Sequence, residues 1–146
     1  MSIKVLEQAR THPAGDASIH SIPCAQNKDR EGWLSMWHPD GVLEDPVGPS
    51  PLDPDGIGHR GIEKITAFYD NVVAKSTVRF HIRQTFACGN EGANVGTITS
   101  KSADGSVVRE ELVMLYRVVM LYRVDDGKIL SIRAIFEVAD VMDDIV

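Results

Sequence analysis

The sequence predicts an α+β fold, and three observations lead there. Helix-compatible segments occupy the first half of the chain, a strand pattern takes over from Val78, and Asp-Gly turn signals lie between the later strands, at Asp104-Gly105 and in "DDG" at 125–127. Helices first and a twisted antiparallel sheet afterwards is the α+β layout. A length of 146 residues suits one domain, 1–146, with a core that needs no staples.

The elements come in order. Residues 1–20 read as irregular, because Pro13 interrupts them, and Pro23 is expected to kink or restart a helix. Asp29 is a good N-cap, with Glu31 in the first turn behind it. Trp33, Met36 and Trp37 then fall on one helical face, and "HPDG" ends the helix as a turn. A short strand closes on Asp45 and Pro46. Alternation puts Asp45 on the face of Leu43 and Glu44 on the face of Val42. The next stretch, "PVGPSPLDPDGIGHRG", is too rich in proline and glycine for helix or interior strand. "IEKITAFYDNVVAK" places Ile62, Ile65, Phe68, Tyr69 and Val72 on one helical face. In "VRFHIRQTFAC", Val78, Phe80, Ile82 and Gln84 share one face, with Arg79, His81 and Arg83 on the other. "ANVGTITSK", the long "VVREELVMLYRVVMLYRV" and the final "KILSIRAIFEVA" complete the strands.

Inside the long strand, "VMLYRV" at 113–118 is repeated without change at 119–124. Six is even, so the duplication keeps every side chain on its face. It displaces the rest of the strand by about 20 Å along its length. Counted from Asp104-Gly105 the first copy takes the working position in the sheet; counted from "DDG" the second does.

Composition excludes several classes. A net charge of −6 with dispersed basic residues argues against nucleic acid and against anionic membrane as partners. Cys24 and Cys88 form no CxxC unit, and the N-terminus lacks the apolar run of a signal peptide, so a reduced, cytoplasmic protein is expected. The five histidines show no metal-ligand spacing, "DPDG" lacks the rest of a calcium loop, and P-loop and GxSxG motifs are missing. Asp45 carries two readings. An Asp before Pro starts turns by bonding its own backbone. A carboxylate facing an apolar space is instead a general base.

The order of elements, with "EDPVG" at 44–48, "AFYDN" at 67–71 and "SIRAIF" at 131–136, resembles the ketosteroid isomerases of the nuclear transport factor 2-like, or SnoaL-like, superfamily from about Gln26 to Glu137. The resemblance implies a cone-shaped barrel: a strongly curved antiparallel sheet wrapped around N-terminal and central helices. It implies a cofactor-free isomerase, with no metal, that moves a proton in a β,γ-unsaturated ketone through a dienolate. Asp45 would be the base, and a homodimer would form through the sheet. The alternatives it implies are a non-catalytic binder of a steroid-like ligand, a polyketide cyclase or an epoxide hydrolase.

Two positions depart from the family. The helix position of the oxyanion tyrosine falls near Ser21, and the protonated-acid position falls at Met120, or Met114 in the first copy. No tyrosine lies near Ser21, and methionine at either acid position cannot donate. Tyr69, in "AFYDN", matches a supporting tyrosine and is the expected substitute donor. Trp37 and Phe136 match cavity-wall positions, and Phe68, Phe86, Met114 and Met120 complete the expected ligand-facing set, with plain core packing as the competing reading for the aromatic residues.

Overall fold

A computed structural model describes residues 12–103 and 111–138, with side chains described apart from 102–103, 111–117 and 137–138. Helix α1 (Pro13–Gln26) leads to α2 (Arg30–Ser35), β1 (Trp37–Glu44) and the two-residue β2 (His59–Arg60). Helix α3 (Ile62–Phe68) runs into a π-helical turn, Tyr69–Val73, and is succeeded by the strands β3 (Ser76–Cys88), β4 (Glu91–Ala103), β5 (Glu111–Asp125) and β6 (Lys128–Val138).

Helix α1 is more regular than its prolines suggest. Pro13 sits at its first position, where no amide hydrogen is needed, and Pro23 is tolerated in its last turn. Ala14, Ala17, Ser18, Ser21, Ile22 and Ala25 are among its buried residues, one face of mostly small side chains. Such a face lets the helix lie close to the sheet, and a Cβ added at Gly92 of β4 would meet that of Ala14 at 3.4 Å. The Gln26 carboxamide accepts from the Phe80 amide at 2.8 Å and ties the helix end to β3. Asp29 caps α2 as expected, accepting from the Gly32 amide at 3.0 Å.

The six strands form one curved, open sheet in the order β2-β1-β6-β5-β4-β3. The expectation of a wholly antiparallel sheet is corrected at one place: β1 and β6 are parallel, with Leu43 opposite Ile132 and Glu44 opposite Arg133. Strand β1 also begins earlier than expected, since "HPDG" belongs to it and a register break between Trp37 and Val42 absorbs the irregularity. Glu44 points outward and pairs with Arg133 at 2.6 Å.

Strand β3 carries a bulge between Ile82 and Gln84. One extra residue reverses the alternation beyond it, so Ile82 and Thr85 are buried while Gln84 and Phe86 are exposed. Opposite the bulge, β3 and β4 approach so closely that any side chain at Gly96 would run into the His81 carbonyl. Backbone on backbone cannot rotate away. Gly96→Val is therefore expected to destabilise the fold by about 2 kcal/mol or more, the cost of overpacking a rigid contact, and thermal unfolding measures it.

Strands β5 and β6 meet in a two-residue turn. Asp125 pairs with Lys128, and Asp126 and Gly127 both have positive φ, 49° and 75°. That is the hairpin geometry expected of "DDG". The Asp104-Gly105 expectation lies outside the described residues. The turn at 126–127 places the second VMLYRV copy in the centre of the sheet, with Met120 between Asn94 and Ala134 and Tyr122 between Gly92 and Ile132.

Candidate active site

Between the concave face of the sheet and the helices lies a cavity of about 490 Å³, within the roughly 300–1,000 Å³ typical of small-molecule sites. Its floor is built by strand alternation. Leu43, Ile132 and Tyr122 form one row across β1, β6 and β5. Ala134 and Met120 form the next, which the chain around Asp45 joins where the Val47 amide donates to the Ala134 carbonyl at 2.9 Å. Helix α1 supplies Ser21, Ile22 and Ala25, α2 supplies Trp33, and the helix after the proline-rich loop supplies Phe68. The loop itself gives Ser50, Pro51 and Leu52 at one rim. Asp53 organises that loop, its carboxylate accepting from the Gly58 amide at 2.8 Å.

Asp45 lies on the wall of this cavity, joined to Pro46 by a cis peptide bond. The side chain is half-buried and faces a largely apolar lining. Burial pushes the carboxyl from an ordinary 3.8 up to about 6. No described residue makes a hydrogen bond or ion pair with the carboxyl, so the reading in which Asp45 bonds its own backbone to start a turn finds no bond in the structure. An unpaired carboxylate in an apolar pocket near pH 6 is suited to take a proton from carbon and hold it away from water.

The other expected residues divide. Phe68, Met120 and Phe136 line the cavity beside Asp45. The side chain of Met114 lies outside the described residues, although its backbone stands opposite cavity-lining Ser100. Three assignments are corrected. Tyr69 is buried behind Trp33, ring centroids 5.4 Å apart, and its phenol feels Asp29, Arg30, Asp70 and Cys24 rather than the cavity. Trp37 packs edge-on against Trp33 at 5.5 Å in the core, so that Trp33 is the tryptophan of the wall. Phe86 is turned out of the cavity by the β3 bulge and is 55% exposed, bordering a shallow depression with Leu121 and Ala93.

A second aromatic residue of the wall, besides Trp33, lay outside the expected set. Tyr122 is 3% exposed and lines the cavity with Ser21 and Asp45. Burial, with the Asp45 charge adding to it, pushes its phenol up to about 12, and hydrogen bonding to Ser21 works in the opposite direction. The signal was present in the sequence: Tyr122 is two residues past Met120, so alternation gives both the same face.

Among the described residues no cluster of three or more His, Cys, Asp or Glu side chains could hold a metal ion, and no helix is long and apolar enough to cross a membrane. Cys24 and Cys88 are free thiols.

Comparison with known proteins agrees with this geometry. The chain matches the model of the SnoaL-like domain over residues 21–132. It is similar to a Δ5-3-ketosteroid isomerase from Mycobacterium sp., at 35% identity over 90% of this chain and 95% of that one, with a TM-score of 0.77. It is similar at 36% identity to RV0760c from Mycobacterium tuberculosis, solved in complex with estradiol-17beta-hemisuccinate, covering 84% and 92% of the two chains with a TM-score of 0.75. A computationally designed 17-OHP binder shares 33% identity over 86% and 94%, with a TM-score of 0.78. A sheet opened into a cone is thus shared with these relatives, and the chain belongs to the SnoaL-like family of the nuclear transport factor 2-like superfamily.

Proposed function

We propose that the protein isomerises a flat β,γ-unsaturated ketone of steroid-like shape, with Asp45 carrying the proton. The observation that supports this most is Asp45 itself, a carboxyl raised to about 6 on the wall of an apolar cavity of about 490 Å³. The carboxylate removes a proton from the carbon between the carbonyl and the double bond. The electron pair of that C–H bond moves into a dienolate, the carbonyl π pair moves onto oxygen, and Asp45 returns the proton at the γ carbon. Substrate and product are neutral isomers, so the step balances without a cofactor. The similarity to a ketosteroid isomerase and to steroid-associated relatives supports the same ligand class.

The test is a spectrophotometric assay with a Δ5-3-ketosteroid, tracking conjugation of the enone across pH. The expected result is turnover whose kcat/KM rises with pH and levels off above about pH 6, as the free carboxyl ionises. Tight binding without turnover supports the second reading, a non-catalytic carrier of the same ligand. That reading has one observation in its favour, namely that Met120, facing the cavity, stands where the resemblance places a donor acid. The proposed homodimer is supported by the outer face of the sheet, where Ile135 stands 50% exposed, and sedimentation equilibrium measures it.

A further inference from the structure

A dienolate needs a hydrogen-bond donor at its oxygen, and removing one such donor costs roughly 100- to 1,000-fold in rate. The helix position at Ser21 and the strand position at Met120 cannot supply one in the family's way. The cavity nevertheless contains a phenol. Tyr122 reaches it from the centre of β5, in the row of Leu43 and Ile132. Its backbone stands two strand spacings from β1, about 10 Å, so its side chain and that of Asp45 converge from opposite sides of β6 on one space. The phenol is buried; its hydroxyl donates to the soft Met120 sulfur, 4.0 Å away, and Ser21 lies within hydrogen-bonding reach of its oxygen. Ser21 borders it on the helix side.

We propose that Tyr122 is the oxyanion donor of this site, with Ser21 as its positioning residue, a donor delivered from the strand in place of one delivered from the helix. The inference rests on the proposed isomerisation and assigns the group that reaction lacks. In the resting site the Ser21 hydroxyl donates to the Ser18 carbonyl at 3.0 Å, the local bond that a helical serine makes. Rotation about its Cβ–Oγ bond turns the same proton toward the Tyr122 oxygen once the phenol's own proton is committed to substrate. A phenol held near 12 stays protonated at working pH and so acts as a donor and never as a base.

The coupling to Asp45 gives the arrangement direction. The Asp45 charge raises the Tyr122 phenol, which weakens it as an acid while Asp45 is ionised. When Asp45 takes the substrate proton, that charge disappears and reappears on the substrate oxygen. Tyr122 then becomes a stronger donor at the moment an anion forms in front of it. An interaction that strengthens along the reaction in this way raises turnover more than ground-state binding.

The experiment uses 6-cyano-2-naphthol, ionised in mildly alkaline buffer, as a dienolate mimic, and its methyl ether as a neutral match of the same shape. Both are titrated into Asp45→Asn protein, in which the base is uncharged as it is after proton transfer. Adding Tyr122→Phe is expected to weaken the naphtholate about 10- to 100-fold, the range of a hydrogen bond to a charged group, and to leave the ether within about twofold. Ser21→Ala should produce a smaller loss with the same selectivity. Equal losses for both ligands, or none for either, overturn the proposal, because a tyrosine that merely shapes the pocket does not distinguish them. Turnover that depends on Asp45 but is unmoved by Tyr122→Phe overturns it too, and leaves the isomerase reading standing. Selective naphtholate loss in a protein that never turns over a ketosteroid supports the donor while removing the isomerase.

Discussion

Asp45→Asn is expected to lose activity and gain stability at once. The asparagine keeps the shape of the side chain and cannot accept a proton, so turnover should fall by about 100- to 10,000-fold, the contribution of a positioned general base. The stability effect has its origin in the same environment. The unfolded carboxyl ionises near 3.8 and the folded one near 6. Between those values the folded state holds a proton that the unfolded state has released. The Asp45 contribution to wild-type stability is therefore full below pH 3.8, declines as pH rises through the window, and is flat above about 6. At about 1.4 kcal/mol for each tenfold, that gap amounts to about 3 kcal/mol. The variant has no such group and escapes the decline. Thermal melts at pH 8 should place Asp45→Asn about 5–10 °C above wild type for a chain of this size, with the difference vanishing near pH 4. Equal melting temperatures at pH 8 would show that the carboxylate is solvated, and the case for a tuned base would go with it.

Removing one VMLYRV hexapeptide should preserve the cavity and strengthen the fold. Deleting 113–118 or 119–124 yields the same polypeptide. The turn at Asp126-Gly127 keeps the remaining copy beside β6, so the methionine and tyrosine at the Met120 and Tyr122 positions stay in the wall. The other end changes. In the full chain Ala103 pairs with Glu111, and seven residues join β4 to β5. In the shortened chain Ser102 comes opposite Ser106, with Ala103, Asp104 and Gly105 left as the connection. A three-residue loop whose last position is a glycine in the left-handed region is a favoured hairpin. Loop shortening alone contributes about 0.7 kcal/mol, and correct turn chemistry adds to it. The expected outcome is a melt raised by about 3–5 °C, with turnover within about twofold of the full chain. A shortened chain that fails to fold or to bind would show that the first copy, paired along β4, is part of the structural core.

Much of the fold was legible because local chemistry and global pairing agreed. Asp29 caps a helix, "DDG" makes a hairpin, and the alternation that put Asp45 with Leu43 holds in the structure. The failures share a cause, which is contact between distant segments. The bulge at residues 82–84 of β3 is set by the close approach of Gly96, and it turned Phe86 from an expected ligand contact into an exposed side chain. Helix α1 hid its amphipathic face because alanine and serine occupy it, and the value of those small residues is apparent only against β4. Tyr69 was assigned by likeness to a motif, yet Trp33 stands between it and the cavity. Tyr122 was passed over because the resemblance marks the acid position two residues earlier, although the same alternation carries both side chains into the cavity.

The identity of the two hexapeptides has a kinetic consequence. Sliding β5 by one copy against its neighbours replaces Met120 and Tyr122 with Met114 and Tyr116, and no side chain at positions 119–124 changes type. The cavity-lining stretch of the strand therefore does not by itself select its register. Selection falls to whichever end closes first, and a two-residue turn with both residues already suited to positive φ closes sooner than a seven-residue connection. Earlier closure of the Asp126-Gly127 hairpin would thus decide which tyrosine reaches the cavity.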